Sequence, residues 1–172
     1  MHPHDASFRF CPVCGGPLKQ RSLREGEPAR LVCTVCSFVF YLDPKLAVGT
    51  IITDPENRVV LVRRAIEPGY GKWVFPGGYV DRGEEVRAAA VREAREETGL
   101  DVRLDRLINI YSYTGRVPVI VVYAATMLGG CLGCDEEGLE ARFFAAEHIP
   151  WGELAFRSTK EALRDFLEIV QT

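Results

Sequence analysis

Gly78-Tyr-Val-Asp-Arg-Gly-Glu84, then residues 85–91, then Arg92-Glu93-Ala94-Arg95-Glu96-Glu97-Thr98-Gly99-Leu100 is the stretch on which the reading of this chain turns. Glu84 to Thr98 predicts a helix, stopped by Gly99. Each residue on that helix turns the face by about 100°. Relative to Val86, Ala90 lies about 40° round, Glu93 about −20° and Glu97 about +20°. Ala89 and Glu96 lie together at roughly −60° to −80°. One stripe therefore begins apolar and continues as carboxylates. A solvated face laced by pairs such as Arg92 with Glu96 would set the glutamates opposite Val86 and Ala90, and here they share their side. Carboxylates clustered on an inward face are costly unless a cation compensates. Hard divalent ions such as Mg²⁺ or Mn²⁺ suit oxygen ligands. Val91 falls on the far side, which predicts a helix covered on two faces. Ahead of it, Gly77 and Gly78 allow the backbone to approach a metal or phosphate closely.

Around this helix the pattern is that of strands. Leu46–Thr53 and Val59–Val62 are apolar runs joined by the turn Asp54-Pro55-Glu56-Asn57. Pro68 to Gly83 reads as a structured loop region. Leu104–Tyr113, Pro118–Met127 and Leu139–Ala145 read as further strands, with Gly129–Gly138 as a loop. A last helix follows. Ser158 and Glu161 have the spacing of a capping box, and Leu163, Phe166, Leu167 and Val170 form one apolar face. The expected fold is α/β (α+β), with a mixed sheet between helices over residues 45–172.

Residues 8–40 form a separate unit. Cys11-Pro-Val-Cys14 and Cys33-Thr-Val-Cys36 are two knuckles joined by a polar arm. Their spacing is that of a four-thiolate structural Zn²⁺ site, each tight turn supplying two soft anionic ligands. The sequence around them is too small to build its own core. A third pair, Cys131-Leu-Gly-Cys134, sits alone in a Gly-rich loop without a partner knuckle. It is expected to be incidental, with a labile metal or redox role as the alternative.

Composition sets the outer bounds. Of 172 residues, 47% are hydrophobic and 26% charged, and the formal net charge is −3. That balance is globular and lacks the basic excess of a dedicated nucleic-acid binder, so nucleic acid is not an expected partner. The N-terminus has no apolar h-region and no run is long enough to span a bilayer. Six cysteines without such a leader suit metal chemistry in a reducing compartment. The expectation is a cytoplasmic protein without a membrane partner.

The opening segment resembles the Nudix box: Gly, five residues, Glu, seven residues, Arg-Glu, an apolar residue, any, Glu-Glu, any, Gly, an apolar residue. All seven identity-fixed positions agree, where chance would give a match on the order of one time in a million. The resemblance runs from about Leu46 to the end. It implies a Nudix α/β/α sandwich and hydrolysis of a diphosphate bond. It also implies Mg²⁺ or Mn²⁺ held by Glu93, Glu96, Glu97 and the carbonyl of Gly78, while Glu84 and Arg92 hold the loop against the helix. A glutamate near the last strand often serves this family as metal ligand or base. Glu140 fits the Glu-Ala-Arg-Phe-Phe pattern and Glu137 sits in the freer loop. Arg63 and Arg64 are candidates for a phosphate contact. Trp73, Tyr79 and Tyr111, with Tyr70 and Tyr113, are candidates to stack on a ring.

The ribbon narrows the resemblance. NADH pyrophosphatases of this family carry a ribbon too, but also a Ser-Gln-Pro-Trp-Pro-Phe-Pro motif, which Tyr111-Ser-Tyr-Thr-Gly-Arg-Val-Pro118 does not reproduce. Asp43-Pro-Lys45, Arg63-Arg-Ala-Ile-Glu-Pro68, Gly71-Lys-Trp73 and Ile149-Pro-Trp-Gly-Glu-Leu-Ala-Phe156 are more similar to the ribbon-containing group that includes plant FAD and ADP-ribose pyrophosphatases. The implied substrate is a nucleoside diphosphate linked to another moiety, ADP-ribose or FAD. NADH hydrolysis and sanitation of nucleoside triphosphates are the enzymatic alternatives, and a nucleotide-sensing binding module is the non-enzymatic one. The resemblance also allows a homodimer.

Overall fold

A computed structural model describes residues 8–170, so the reading of the polar N-terminus lies largely outside the described residues. The chain divides into two compact units, Met1–Pro44 and Lys45–Thr172.

The first unit is a three-stranded antiparallel sheet in the order β1 (Leu18–Arg21), β2 (Arg30–Cys33), β3 (Val39–Phe40). Cys11, Leu18 and Cys33 form its buried cluster, with Leu31 and Phe40 packed against them. So small a core needs a further cross-link to hold its shape. The first knuckle closes through Cys11 N–H to Gly16 O at 2.7 Å, with Gly15 in the left-handed region at φ 73°.

The second unit is a mixed sheet with a helix on each face. Its elements are β4 (Lys45–Thr53), β5 (Val59–Arg64), β6 (Trp73–Val74), α1 (Val86–Thr98), β7 (Leu100–Tyr111), β8 (Pro118–Gly130), β9 (Gly138–Phe144) and α2 (Arg157–Val170). The path runs β6-β5-β4-β8-β7, and β9 pairs with β5. β4 and β8 lie parallel at the centre, in register from Lys45↔Pro118 to Thr53↔Thr126. Both strands are buried on both faces, which is why they read as unbroken apolar runs. Ile52 packs under α1 with Ala94, Leu100 and Ala125. The next residue back, Ile51, packs under α2 with Val122, Ala162, Leu163 and Phe166. Strand alternation thus feeds two cores from one strand.

Several boundaries differ from the sequence pattern. α1 starts at Val86, because Glu84 is held in a turn by its N–H to Asp81 O at 3.0 Å. Val91 is exposed, so α1 is covered on one side only. Its buried residues are the small ones, Ala89, Ala90, Ala94 and Thr98, which let the helix sit close to the sheet. The capping box does not form. α2 begins at Arg157, Ser158 is buried inside its first turn, and Glu161 instead accepts from Arg157 Nε and Tyr113 Oη, at 2.6 and 2.7 Å. Tertiary partners outbid a local cap. β7 starts at Leu100 because the chain leaves α1 through Gly99, at φ 69°, directly into pairing with Gly130. Among the described residues no helix is long and apolar enough to cross a membrane.

The β4–β5 turn rests on Asp54. Its Oδ1 accepts from the backbone N–H of Glu56 and Arg58, at 3.0 and 2.8 Å, and Oδ2 pairs with the Arg58 guanidinium at 2.6 Å. Burial by itself would raise the Asp54 pKa, but the Arg58 backbone N–H and guanidinium outweigh it and hold the carboxyl below its usual range. We expect Asp54→Ala to cost about 2 kcal/mol in urea unfolding at pH 7. The folded pKa is the lower one, so this contribution is present above the unfolded value of about 3.9. It is lost as pH falls through the folded value, and the gap between variant and wild type should close on acidification.

Candidate active site and thiolate cluster

Arg92 organises the face of α1 that carries the box. Its Nε and Nη2 each sit 2.8 Å from a different oxygen of Glu84, a bidentate pair. Nη1 donates to Glu93 at 2.8 Å and Glu96 at 2.9 Å, and Nη2 also reaches Tyr79 O at 3.2 Å. The arginine thereby holds the loop before α1 to the helix itself. It also holds Glu84 well down, at about 2, with Asp81 N–H as the second cause.

Glu93 and Glu97 lie one turn apart on the same side. Burial pushes both carboxyls up, Glu97 to about 8. For Glu97 the Gly77 N–H, at 2.8 Å, opposes burial, while the charges of Glu93, Asp135 and Glu137 add to it. Glu96 is exposed, and the structure gives it only Arg92. The donor set is hard, anionic and mutually repelling, and one arginine near Glu93 does not relieve Glu97. These residues fit a divalent cation.

The glycine pair lies directly against these carboxylates. Gly78 O accepts from Val48 N–H at 2.9 Å and Pro76 O from Thr50 N–H at 2.9 Å, so both carbonyls are turned to β4. The role expected of the Gly78 carbonyl therefore meets a competitor, since strand pairing already uses it. Gly77 N–H and Tyr79 O face α1 instead. A Cβ on Gly78 would fall 2.5 Å from Glu93 Oε2.

The other candidates separate. Glu137 sits in the loop before β9, with its N–H on Asp135 Oδ1 at 2.9 Å and its carbonyl accepting from Ala65 N–H at 2.7 Å. Glu140 is taken by arginines, Arg142 and, at 3.8 Å, Arg63. Asp135, which acts on Glu97 with Glu137, was not singled out by sequence; the acidic run Asp135-Glu136-Glu137 was its only signal. Arg63 Nε donates to Gly71 O and Arg64 Nε to Pro68 O, both at 2.9 Å, so each arginine braces its own hairpin. Trp73 is 5% exposed, its ring edge-on to Phe144, and Tyr111 is 5% exposed with its hydroxyl 2.7 Å from Asp165. Neither has a free ring face, because alternation turns both to the α2 core. Tyr79 and Tyr70 are exposed, and Lys45 Nζ lies 4.8 Å from the Tyr79 ring centroid. A cavity of about 340 Å³ between β7 and α2 includes Tyr111, Tyr113, Glu161 and Asp165 in its lining. Its tyrosine hydroxyls already serve its carboxylates, which disfavours an anionic diphosphate there.

In the first unit the four knuckle sulfurs converge. Sγ–Sγ distances are 3.7 Å for Cys11–Cys36, 3.5 Å for Cys14–Cys33 and 3.3 Å for Cys14–Cys36, and all four atoms lie within 4.8 Å of one another. A tetrahedral thiolate site with bonds of about 2.3 Å has edges of about 3.8 Å. The cluster fits a metal ion. The N–H groups of Cys36 and Val35 point at Cys33 Sγ and lower its pKa, while hydrogen bonds from the neighbouring thiols push Cys36 up, so the sulfurs share protons in the absence of a cation.

The two glycines predict opposite outcomes. On Gly77 a Cβ would meet Val48 O at 2.2 Å, a backbone atom, so Gly77→Ala should lower the melting temperature by several degrees. On Gly78 it would meet only the end of the Glu93 side chain. Gly78→Ala should therefore melt near the wild type yet bind divalent ions about tenfold more weakly by calorimetry.

A family model described as "NUDIX domain" matches residues 43–166, and one described as "Nudix N-terminal", a zinc ribbon, matches residues 9–42. An ADP-ribose pyrophosphatase of Methanocaldococcus jannaschii is 36% identical over 131 residues, which are 74% of this chain and 75% of that one. An NAD-capped RNA hydrolase of Stutzerimonas stutzeri is 29% identical over 146 residues, 84% of this chain but 51% of the relative, so the chain spans about half of its length. The crystal structure of a Nudix hydrolase from Nitrosomonas europaea superposes with a TM-score of 0.87 at 34% identity, covering 94% of this chain and 91% of that one. From the box on α1, the sheet it packs on and matches that span nearly the whole length, it follows that this chain belongs to the Nudix hydrolase family, among the members with an N-terminal zinc ribbon.

Proposed function

We propose that the protein hydrolyses ADP-ribose at its diphosphate bond, with Mg²⁺ or Mn²⁺ at the box glutamates and Zn²⁺ in the ribbon. The observation that carries the chemistry is the half-buried Glu97, one turn from Glu93 and bonded to the Gly77 N–H at 2.8 Å, which desolvation and the charges of Glu93, Asp135 and Glu137 push up to about 8. A fold does not maintain such a cluster for stability. A divalent cation, when bound, supplies a Lewis acid that neutralises the diphosphate and acidifies an attacking water.

The residues divide the remaining work. Glu93 and Glu97 are the ligands, and strand alternation favours the Gly77 carbonyl over that of Gly78 as the backbone donor beside them. Arg92 fixes the orientation of Glu93 and, with Glu84, ties down the loop. Glu137 is the better candidate to take a proton from the attacking water, since Glu140 is paired to two arginines. Tyr79, exposed next to Gly78, is the candidate ring for a nucleoside. Two segments outside the box support the choice of ADP-ribose over a triphosphate by resemblance. They are also neighbours: Trp73 bridges Leu154, Gly69 lies against Ala155, and Arg64 sits over Phe156 at 5.1 Å.

A second reading has its own support. Several relatives are named NAD-capped RNA hydrolases, and such substrates also hold a diphosphate between two nucleosides. The test compares kcat/KM for ADP-ribose, FAD, NADH, an NAD-capped RNA and the common triphosphates under Mg²⁺ and Mn²⁺. ADP-ribose should lead. A preference for NADH or capped RNA would move the assignment to that group, and a triphosphate preference would move it to pool sanitation. Glu93→Gln and Glu97→Gln should each lower turnover by about 10²-fold or more while the protein stays folded. Near-wild-type turnover in both at saturating Mg²⁺ would remove the metal assignment.

For the ribbon, elemental analysis of protein purified without chelator should find zinc stoichiometric with chain. Cys33→Ser should lose it and unfold the first unit, because ligand binding there is also folding energy.

A further inference from the structure

The loop between β8 and β9 contains Cys131-Leu-Gly-Cys134, and it lies on the end of the box helix. Both thiols are free and exposed. Between them, Gly133 N–H donates to Thr98 O at 3.0 Å, next in sequence to Glu97. Leu132 is half-buried in the cluster of Ala94, Leu100 and Val102 beneath α1. Cys131 O lies so close to Gly99 that a Cβ there would meet it at 2.6 Å. At the other end, a Cβ on Gly138 would lie 2.7 Å from Cys134 Cβ. Asp135-Glu136-Glu137 follows Cys134, and the charges of Asp135 and Glu137 reach Glu97. In sequence the two cysteines thus flank a backbone bond that ties this loop to the C-terminus of α1, with Asp135 and Glu137 immediately downstream.

We propose that Cys131 and Cys134 form a dithiol–disulfide site whose oxidation slows the hydrolase by displacing the loop that bears Asp135 and Glu137. The oxidant is a low-molecular-weight disulfide such as oxidised glutathione. One cysteine thiolate attacks a sulfur of that disulfide, forming a mixed disulfide and expelling one small thiolate. The second cysteine then attacks the protein-bound sulfur, closes the Cys131–Cys134 bond and expels the other. Two electrons pass from the cysteine pair to the small disulfide, and the two protons end on the two small thiols. A bridge between Cys131 and Cys134 would fix the backbone of Leu132 and Gly133, the residues that carry the seat beneath α1 and the Thr98 bond. A bridge over so short a loop, exposed to solvent, is the reducible kind. The site is distinct from the ribbon thiolates, which a bound metal would shield.

The inference uses the hydrolase reading for one of its readouts, so the test includes two that need no substrate. The full-length protein is incubated with oxidised glutathione, then mapped by peptide mass, followed by amide hydrogen exchange at Gly133, and assayed on ADP-ribose. A chromogenic chelator reports whether zinc stays bound. We expect a Cys131–Cys134 bridge, faster exchange at Gly133, turnover about tenfold lower, full recovery with dithiothreitol and no zinc release. C131S/C134S should turn over like the reduced wild type and ignore the oxidant. Absence of the bridge, or a bridge that leaves Gly133 exchange unchanged, overturns the proposal. So does an equal loss of turnover in C131S/C134S, which would assign the effect to the ribbon. If the reduced protein hydrolyses nothing in the substrate panel, the hydrolase reading fails on its own, while the map and the exchange still decide whether the bridge forms and moves the loop.

Discussion

Glu97 is a half-buried carboxylate within the fields of other carboxylates. Among the described residues its hydrogen-bond donor is the amide of Gly77. A half-buried anion of this kind is tolerated when something positive is expected there, and much of the second unit can be understood as what brings that position about. The three buried alanines of α1 let the helix sit against the sheet, which partly buries Glu97 while Glu96 stays in water. Gly77 and Gly78 let the preceding strand run close enough for an amide to meet one glutamate and a Cα to touch the other. Arg92 binds the loop to the helix so that neither can drift.

Charge is kept in two separate accounts at this site. Arg92 makes a bidentate pair with Glu84 and donates its remaining amino group to Glu93 and Glu96. Glu97, Asp135 and Glu137 receive nothing from it. The result is a helix face with a satisfied structural half and an unsatisfied half open to a divalent ion. The same division holds between the arginines of the chain: Arg63 and Arg64 brace backbone carbonyls of their hairpin and are spent on the fold.

The ribbon solves a different problem with similar means. Its sheet buries too few side chains to persist alone, and four sulfurs within 4.8 Å of one another mark where the missing cohesion enters. In both units, then, ligand atoms that repel one another are held together by backbone geometry, an arrangement that fits a metal ion.

Local pattern alone determined a good deal here. The period of the glutamates against Val86 and Ala90, the knuckle spacing and the apolar runs of β4 and β8 are properties of consecutive residues, and they were legible because helices and strands have fixed periods. The partners of each group were not legible. Ser158 and Glu161 have the spacing of a cap, but Arg157 and Tyr113, the latter from another element, hold Glu161. Trp73 and Tyr111 look like stacking rings until the sheet turns them into the α2 core. Glu140 matches a strand pattern better than Glu137, yet Arg63 across the β5–β9 pairing claims it. The carbonyl of Gly78 goes to Val48, and the pair Cys131–Cys134 gains meaning only from lying on Thr98. In each case at least one partner is tens of residues away in the chain or across a strand pairing. Hydrogen bonds and charges act through space, so only the tertiary structure could assign them.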